Sequence, residues 1–422
     1  MSRNYAVSSS INFITTLVYL SILLSLATAV KPRGFSMKMI RSDSKESPLH
    51  SRYANLTQAE RFRRLVEKSK SRVRHLGSAR AAAYNRSSTM NPDVASVPVS
   101  LVKDDDTGFY IGEVGIGTFN GQPQTFKSFY LIIDTSTDII WTQCRGGNHY
   151  FYQDSEYYDQ GGSNSYHPIP CDQQEEYCVG DFCDEDGFCL YRQGYLTGAQ
   201  SSGELVKETF TINSNTGDLE SVENIIMGCG LDQTDFGQVL DVPEREGDHD
   251  WDGPIPAPGT APIAGYLGLG QGDEGFSLVL QLDNKFEYCL ESYDLPGADA
   301  SHTYLRFGAD AIIGGGPEVR RTPLSQDPNL KSPYHLTLRD ISVGRVSAGF
   351  DEHAFVIRAD GFGGTIIDSA SPFTTMGFDH FQRVRQLFVD YFHPLGCGFC
   401  YSANVWYFCL YGRSKHDMSW YR

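Results

Sequence analysis

Residues 131–137 read LIIDTST, and residues 365–371 read TIIDSAS. Each stretch is an apolar run that ends in an aspartate, a hydroxyl residue, a small residue and a second hydroxyl residue. The two aspartates, Asp134 and Asp368, lie far apart in the chain, so the repeat predicts two related lobes that each contribute one carboxylate. Short period-two runs alternate with turn-rich segments and no βα units recur, which predicts an all-β protein.

The period-two pattern predicts short strands, and three further segments have helical spacing. The predicted strands are residues 109–117, 129–133, 204–212, 224–227, 335–343 and 364–367. The predicted helices are residues 57–76, 276–284 and 378–393. The first helix is amphipathic and begins at a capping box between Thr57 and Glu60, while seven Lys and Arg residues crowd its polar side.

Two carboxylates held face to face have a particular chemical use. They share one proton, so one apparent pKa of the pair is raised and the other is lowered. Such a pair can take a proton from water and give a proton to a carbonyl, which hydrolyses a peptide bond without a metal or a covalent intermediate. The alternative is that Asp134 and Asp368 are ordinary aspartates in turns at strand ends.

The hydroxyl residues that follow each aspartate have predicted supporting roles. Thr135 and Ser369 are expected to tie the two aspartate loops together by hydrogen bonds. Thr137 and Ser371 are expected to donate to the outer carboxylate oxygens and to help keep the pair singly ionised.

Composition and charge narrow the class of protein. The chain has 422 residues, which suggests two or three domains, and its 40% of hydrophobic residues can form a sizeable core. The formal net charge of −17 argues against nucleic acid as a partner. Residues 30–100 carry 15 Lys and Arg against 5 Asp and Glu, whereas residues 101–422 carry 19 against 47. A basic segment therefore precedes an acidic body.

The N-terminus and the cysteines predict export. Residues 1–29 resemble a secretory signal, with a positive flank, an apolar stretch and an Ala-Thr-Ala cleavage site; an uncleaved membrane anchor is the alternative. All ten cysteines lie in the acidic body and predict up to five disulfides of undetermined pairing. Glycosylation sequons begin at Asn55 and Asn85. The expected location is extracellular (apoplastic), with the vacuole as the alternative, and no membrane contact is expected after signal cleavage.

The basic segment, residues 30–100, is interpreted as a cleavable prosegment. It follows the signal and precedes a body of opposite charge, so we expect it to lie on that body and block it until acid neutralises the carboxylates. The alternatives are a solvated basic helix without a partner, or a helix that touches an anionic membrane.

These features together resemble the pepsin-like aspartic proteases, in particular their plant nepenthesin-type branch. The similar blocks follow the family's order at residues 133–144, 171–191, 225–230, 266–270, 286–290, 341–344 and 363–369. The resemblance implies a bilobal all-β acid protease fold, with a first lobe at residues 101–290 and a second at residues 291–422. It also implies an acidic endopeptidase that is a monomer, acts on polypeptides and needs no metal or cofactor.

The resemblance also assigns roles to single residues. Asp134 and Asp368 would be the catalytic pair, and Tyr195 would lie on a hairpin flap that closes over the substrate. Trp141 would support that tyrosine from behind. The structural alternatives are a tyrosine at a turn and a tryptophan in a core.

Three departures from the family pattern affect the expected activity. Ser136 and Ala370 stand where the family has glycine, which predicts backbone strain of about 1–3 kcal/mol unless the loops relax. Residues 196–198 of the flap read LTG, where the family usually has Gly-Asp-Gly. No block similar to residues 266–270 follows Asp368, so the second lobe is predicted to be incomplete. The alternatives to a protease are a secreted binding or inhibitor protein and a chain that does not fold stably.

Overall fold

The computed structural model describes residues 34–57, 60–70, 72–73, 109–121, 125–171, 178, 182–195, 199–213, 218–247, 261–272, 276–290, 303–312, 320–327, 330–358, 363–395, 398–402 and 405–409. The predicted signal, residues 1–29, lies outside these ranges. Among the described residues, no helix is both long enough and apolar enough to cross a bilayer.

Most of the regular structure is β-strand. The strands are β1 (Gly34–Lys38), β2 (Ile40–Arg41), β3 (Tyr110–Ile116), β4 (Lys127–Asp134), β5 (Trp141–Gln143), β6 (His149–Phe151), β7 (His167–Pro168), β8 (Leu190–Gly194), β9 (Gln200–Asn213), β10 (Leu219–Thr234), β11 (Glu244–Glu246), β12 (Ile263–Gly268), β13 (Phe286–Cys289), β14 (Tyr304–Gly308), β15 (Leu324–Ser325), β16 (Tyr334–Leu336), β17 (Ser342–Val343), β18 (Val346–Ser347), β19 (Thr365–Ile367), β20 (Gly398–Ser402) and β21 (Val405–Cys409). The helices are α1 (His50–Tyr53), α2 (residues 60–70 and 72–73), α3 (Phe236–Leu240), α4 (Leu278–Gln281) and α5 (Phe378–Phe392). Short 3₁₀ turns occupy Gln160–Gly162 and His393–Leu395.

The first lobe is built on one large sheet that closes on itself. Six strands follow one another in the order β10-β5-β12-β4-β3-β9, and β9 then pairs with β10. Strand β4 pairs in parallel with β12 on one side and antiparallel with β3 on the other. The carboxyl end of β4, where Asp134 stands, is therefore held from both sides.

The core of this lobe follows from the apolar content of its central strands. Ile111, Val114, Leu131, Ile133 and Leu267 are at most 1% exposed. Burial of each such aliphatic side chain contributes about 1.5–3 kcal/mol. The strand that ends in Asp134 is consequently one of the best-anchored segments of the lobe.

The second lobe has smaller sheets. Strands β15, β16 and β19 form one sheet, while β17–β18 and β20–β21 are hairpins. Within the described residues, β19 pairs only with β16, and the partner that corresponds to β12 in the first lobe is absent. Leu324, Ile367 and Phe378 are exposed in this part of the chain. The described part of the second lobe therefore leaves apolar side chains at its surface, and its predicted incompleteness stays a prediction.

Part of the basic segment is integrated into the fold. Strand β1 joins a three-stranded sheet with β14 and β13, and β2 pairs with β3. The predicted boundary between residues 290 and 291 falls between β13 and β14, which pair with each other. The segment therefore contacts both of the predicted lobes instead of lying on one surface.

Several element predictions match the structure, and two need correction. The predicted helix at 378–393 corresponds to α5, and the predicted capping box is formed, since Glu60 N donates to Thr57 Oγ1 and Thr57 N donates to a Glu60 carboxylate oxygen. The helix predicted at 276–284 is only the single turn α4. The strand predicted at 335–343 is wrong as one element, because irregular chain separates β16 from β17 and the Asp340 carboxylate there accepts from Ile341 N and Phe350 N.

The structure pairs six of the cysteines. The disulfides are Cys144–Cys229, Cys171–Cys183 and Cys178–Cys189. Within the described residues Cys289 carries a free thiol, so the upper count of five disulfides is not reached.

Candidate active site

Asp134 is fixed by the parallel strand beside it. Gly268 of β12 is its register partner, and Leu269 N donates to Asp134 O at 2.9 Å. A Cβ on Gly268 would lie 2.3 Å from the carbonyl oxygen of Asp138, so only glycine allows the two backbones to approach this closely.

The two aspartate loops are joined to each other across the lobes. Ser369 N donates to Thr135 Oγ1 at 3.0 Å, and Thr135 N donates to Ser369 Oγ at 3.4 Å. Both hydroxyl residues are buried. The exchange brings the aspartates that precede them, Asp134 and Asp368, to the same place.

Each carboxylate is oriented by its own loop in the same way. The amides of Ser136 and Ala370 donate to Oδ1 of the aspartate two residues earlier, at 2.9 and 3.1 Å. The hydroxyls of Thr137 and Ser371 donate to Oδ2 of the aspartate three residues earlier, at 3.0 and 2.8 Å. The repeated sequence thus produces a repeated hydrogen-bond pattern.

One arginine of the basic segment occupies the space between the carboxylates. Arg72 Nη2 donates to Asp134 Oδ1 at 2.7 Å and to Asp368 Oδ1 at 3.1 Å, and Arg72 Nε donates to Asp368 Oδ2 at 2.8 Å. The side chains of Asp134 and Asp368 are 2% and 3% exposed. Arg72 Nη2 therefore donates hydrogen bonds to an oxygen of each aspartate, which shows that the two carboxylates lie close together.

Helix α2 carries this arginine into the site and is held there by apolar and polar contacts. Leu65, Val66 and Ser69 are buried, and Ser69 Oγ accepts from Phe373 N, just after the second aspartate loop. The rings of Phe62 and Phe373 lie 5.3 Å apart. Of the apolar residues predicted on this helix, Val73 is exposed and Leu76 lies outside the described residues.

Charge pairing determines the protonation of the site. Burial by itself raises the pKa of Asp134, but the positive charge of Arg72 and the hydrogen bonds from Ser136 and Arg72 outweigh burial and bring the pKa below its usual value. Burial lowers the pKa of Arg72, but the two carboxylates outweigh it and raise the pKa above its usual value. In this state Asp134 is ionised and paired with the positive charge of Arg72.

The predicted flap residues lie together. Tyr195 follows β8 and closes a hairpin with β9, since Tyr195 N donates to Ala199 O at 2.7 Å. Trp141 Nε1 donates to the Tyr195 hydroxyl at 2.7 Å, and the Tyr195 ring packs 4.6 Å from that of Tyr266. Burial raises the pKa of Tyr195, so the phenol stays protonated. The hairpin tip, residues 196–198, lies outside the described residues.

Two protein-family models match the chain, one over each of the two aspartate loops. The xylanase inhibitor N-terminal family matches residues 110–240, and the xylanase inhibitor C-terminal family matches residues 333–405. The two matches contain one aspartate loop each.

The chain is also similar to plant proteases over most of its length. Aspartic proteinase nepenthesin-2 of Nepenthes gracilis is 31% identical over 340 residues, which are 80% of this chain and 65% of the relative. Aspartic proteinase nepenthesin-1 of the same species is 29% identical over 362 residues, which are 85% of this chain and 69% of the relative. Both relatives are named aspartic proteinases, so the chain resembles that class of plant enzyme. It spans just under two thirds of nepenthesin-2.

A solved structure has the same fold. The crystal structure of edgp superimposes with a TM-score of 0.52 and 16% identity, covering 73% of this chain and 72% of that chain. This likeness concerns the fold alone, and it agrees with the predicted bilobal, mostly β architecture.

The two residues that replace the family's glycines are accommodated without unusual backbone. Neither Ser136 nor Ala370 is among the described residues with positive φ. A conformation reserved for glycine is therefore not required at either position, and the predicted strain of the loops is not needed to explain the structure.

A group of three cysteine sulfurs lies close enough together to suggest a metal site. Cys171, Cys178 and Cys189 form this group, but all three are in disulfides. Their sulfurs are consumed by covalent bonds, so the group does not offer thiolate ligands.

Arg72 is the site residue that sequence reasoning did not single out. It was one of seven basic residues on the predicted helix, and nothing in its immediate neighbours distinguishes it from Arg74 or Lys70. Its place in the site depends on how α2 packs, which no local pattern encodes.

Proposed function

We propose that this protein is an aspartic endopeptidase whose basic N-terminal segment holds it inactive in the conformation described. The observation that carries the proposal is that one guanidinium binds both Asp134 and Asp368. A cation can bridge two buried carboxylates only if they face each other at short range, which is the geometry a shared proton and a bound water require.

The chemistry follows once Arg72 leaves. A water molecule takes the place of the guanidinium between one ionised and one protonated aspartate. The ionised carboxylate accepts a proton as the water oxygen attacks the peptide carbonyl carbon, and the protonated carboxyl gives its proton to the carbonyl oxygen. The tetrahedral intermediate then breaks its C–N bond. The amide nitrogen takes the proton that the first carboxylate accepted from water, a hydroxyl of the intermediate returns a proton to the other carboxylate, and an acid and an amine are released.

The supporting residues have defined parts in this reaction. Thr137 and Ser371 stabilise the oxygens that face away from the water, and Thr135 and Ser369 keep the two loops in register. Tyr195, oriented by Trp141, closes over an extended polypeptide and excludes water. No metal or cofactor is needed for these steps.

The basic segment is proposed as an internal partner of the site. While Arg72 is bound, its charge keeps Asp134 ionised, and water and substrate are excluded from the space that the guanidinium fills. Acid protonates the carboxylates, the attraction for the arginine falls, and α2 leaves. Cleavage after residue 73 would make the change irreversible.

Secretion is proposed on separate grounds. Three disulfides and a signal-like N-terminus are typical of an oxidising compartment. Asn55, the first residue of one sequon, is exposed and available for glycosylation. The apoplast is the proposed location.

The test is hydrolysis by the full chain after acid treatment. We expect cleavage of denatured haemoglobin at about pH 3–5, where a dyad with one proton is populated, and inhibition by a statine-type compound. The Asp134→Asn variant should be inactive while remaining folded, which circular dichroism of the acid-treated protein checks. Absence of cleavage by folded protein from which α2 has been released would overturn the proposal.

A second candidate is a secreted inhibitor of glycoside hydrolases. The family models that match carry the description xylanase inhibitor, and both glycines of the aspartate loops are replaced. Titration of a xylanase with wild-type protein and with Asp134→Asn separates the two functions. Equal inhibition by both proteins, without proteolysis, would favour the inhibitor.

A further inference from the structure

The two aspartate loops differ in one hydrogen bond. In addition to the donors that the loops share, the Ser136 hydroxyl donates to Asp134 Oδ1 at 2.9 Å. Ala370 stands at the matching position beside Asp368 and has no hydroxyl. The two aspartates therefore differ in their side-chain donors: Asp134 Oδ1 has a hydroxyl donor from its own loop that Asp368 Oδ1 lacks.

The same hydroxyl also contacts the basic helix. Arg72 Nη2 donates both to Ser136 Oγ and to Asp134 Oδ1. Guanidinium, hydroxyl and carboxylate thus form a closed ring of hydrogen bonds that glycine or alanine at position 136 could not complete. The Arg72 side chain is only 12% exposed, so these charge-assisted bonds compete little with water.

We propose that Ser136 is a positioning residue that fastens Arg72 to Asp134, and that it thereby lowers the pH at which α2 leaves the dyad. This inference rests on the proposed function, because it concerns regulation of the same pair of carboxylates. The serine is then a device that strengthens the closed state, which a glycine in its place would lack.

Among the described residues, the other titratable groups around the ring are Asp368 and two phenols. Asp368, on the opposite loop, binds the same guanidinium. Burial raises the pKa values of Tyr195, on the flap, and of Tyr288, on β13, so both phenols stay neutral at acidic and neutral pH.

Several other charges of α2 contact groups outside the ring, and Arg61 Nη1 lies 3.9 Å from a carboxylate oxygen of Asp43. Lys68 Nζ lies 4.3 Å from the centroid of the Phe109 ring, and Lys70 pairs with Glu67 at 2.7 Å. The dependence of release on pH is therefore assigned to the ring formed by Arg72, Ser136 and Asp134 and to the bonds from Arg72 to Asp368, while the apolar contacts of α2 do not titrate.

The test measures release of α2 directly in the full-length chain. Hydrogen–deuterium exchange of peptides within residues 60–70, corrected for intrinsic rates, is followed from about pH 7 to pH 3. Ser136→Ala removes only the hydroxyl, and Ser136→Gly installs the family's residue in case the alanine variant does not fold. Ala370→Gly is the matched control in the other loop.

We expect both Ser136 variants to release α2 at a pH about one unit higher than the wild type. Loss of one charge-assisted hydrogen bond weakens the closed state, and if release is coupled to uptake of one proton this moves the pH midpoint by about one unit. Ala370→Gly should leave the midpoint within about 0.2 pH units, because this residue makes no side-chain bond to Arg72. In an Arg72→Lys background the effect of Ser136→Ala should shrink, since an ammonium on a flexible stem does not keep the planar geometry that holds Nη2 against both Ser136 Oγ and Asp134 Oδ1.

Equal midpoints for the wild type and the Ser136 variants would overturn the inference, as would an equal shift in Ala370→Gly. Peptide hydrolysis is measured on the same samples. Protein that releases α2 at a Ser136-dependent pH but never cleaves a peptide refutes the proposed function and leaves this inference standing. Cleavage with Ser136-independent release refutes the inference alone.

Discussion

Thr135 and Ser369, which are 234 positions apart, each use a side-chain oxygen to accept a hydrogen bond from the other's backbone amide. The exchange is the point at which the two halves of the repeat meet. Since both residues are buried, each amide would be left without an acceptor if its partner's hydroxyl were removed.

Thr135→Val should therefore loosen the dyad while preserving side-chain shape. The Ser369 amide loses its acceptor, which should reduce the free energy of unfolding by about 1–3 kcal/mol. Urea unfolding measures the stability, and kcat of acid-treated protein should fall by a larger factor than stability alone explains. Thr211→Val, which removes a hydroxyl pair with Ser221 in the β9–β10 hairpin, is the control. Unchanged kcat in Thr135→Val would show that the tie does not position the carboxylates.

The sequence was sufficient to predict where the two carboxylates lie. An apolar strand that ends in aspartate and two spaced hydroxyls determines its own local hydrogen bonds, and the repeat showed that the pattern occurs twice. The contact between Trp141 and Tyr195 was likewise accessible through the family resemblance. These features depend on residues that are neighbours in sequence or on blocks that keep a fixed order.

The presence of Arg72 between the two carboxylates could not be predicted from local patterns. Arg72 reaches it because Leu65 and Val66 bury one side of α2 and Ser69 contacts the second aspartate loop. Ser136 was interpreted only as a departure from glycine, because its hydroxyl gains a partner only when α2 is seated. Long-range packing determines both, and hydrophobic periodicity indicates only that the helix has an apolar side.

Arg72→Gln should open the site at neutral pH. A neutral side chain leaves two buried carboxylates without their cation, which costs about 3–5 kcal/mol in the bound state and corresponds to at least about a hundredfold weaker docking of α2. Faster hydrogen exchange of residues 60–70 at pH 7 is the measurement. Arg63→Gln removes the same charge from an exposed position of the helix and should retain protection. Equal loss in both variants would mean that net charge, not the dyad contact, holds the helix.

The hydrogen bond from Trp141 to the Tyr195 hydroxyl should contribute to catalysis. Trp141→Phe removes the donor and Tyr195→Phe removes the acceptor, and each should lower kcat/KM by about tenfold if the bond orients the flap. The double variant should lose little more than either single variant, because all three lack the same bond. Fully additive losses would show that the two residues act independently.

Glu208 is a buried acid, and its hydrogen-bond donors in the described part of the chain are all neutral. Its oxygens accept from the hydroxyls of Tyr158, Ser163 and Ser165 and from Thr209 N, and its side chain is fully buried. Glu208→Gln replaces one acceptor with a donor and should destabilise the first lobe by about 1–3 kcal/mol in urea unfolding. Glu204→Gln, where a half-buried carboxylate accepts from Tyr166, should cost less. Equal stability of wild type and Glu208→Gln would contradict the importance of this network.

Acid should release α2 in the wild type, and the direction follows from the pKa of Asp134. That pKa is lowered in the closed state, because burial is outweighed by Arg72 and by the hydrogen bonds of Ser136. A carboxyl with a depressed pKa stabilises the closed state fully above its ordinary value of about 3.9 and loses that contribution as pH falls through the depressed value. Exchange protection of residues 60–70 should therefore persist at pH 7 and disappear at acidic pH, and it should return on neutralisation if the chain is uncleaved. Protection that decreases as pH rises would have the wrong sign and would show that Asp134 is not ionised when Arg72 is bound.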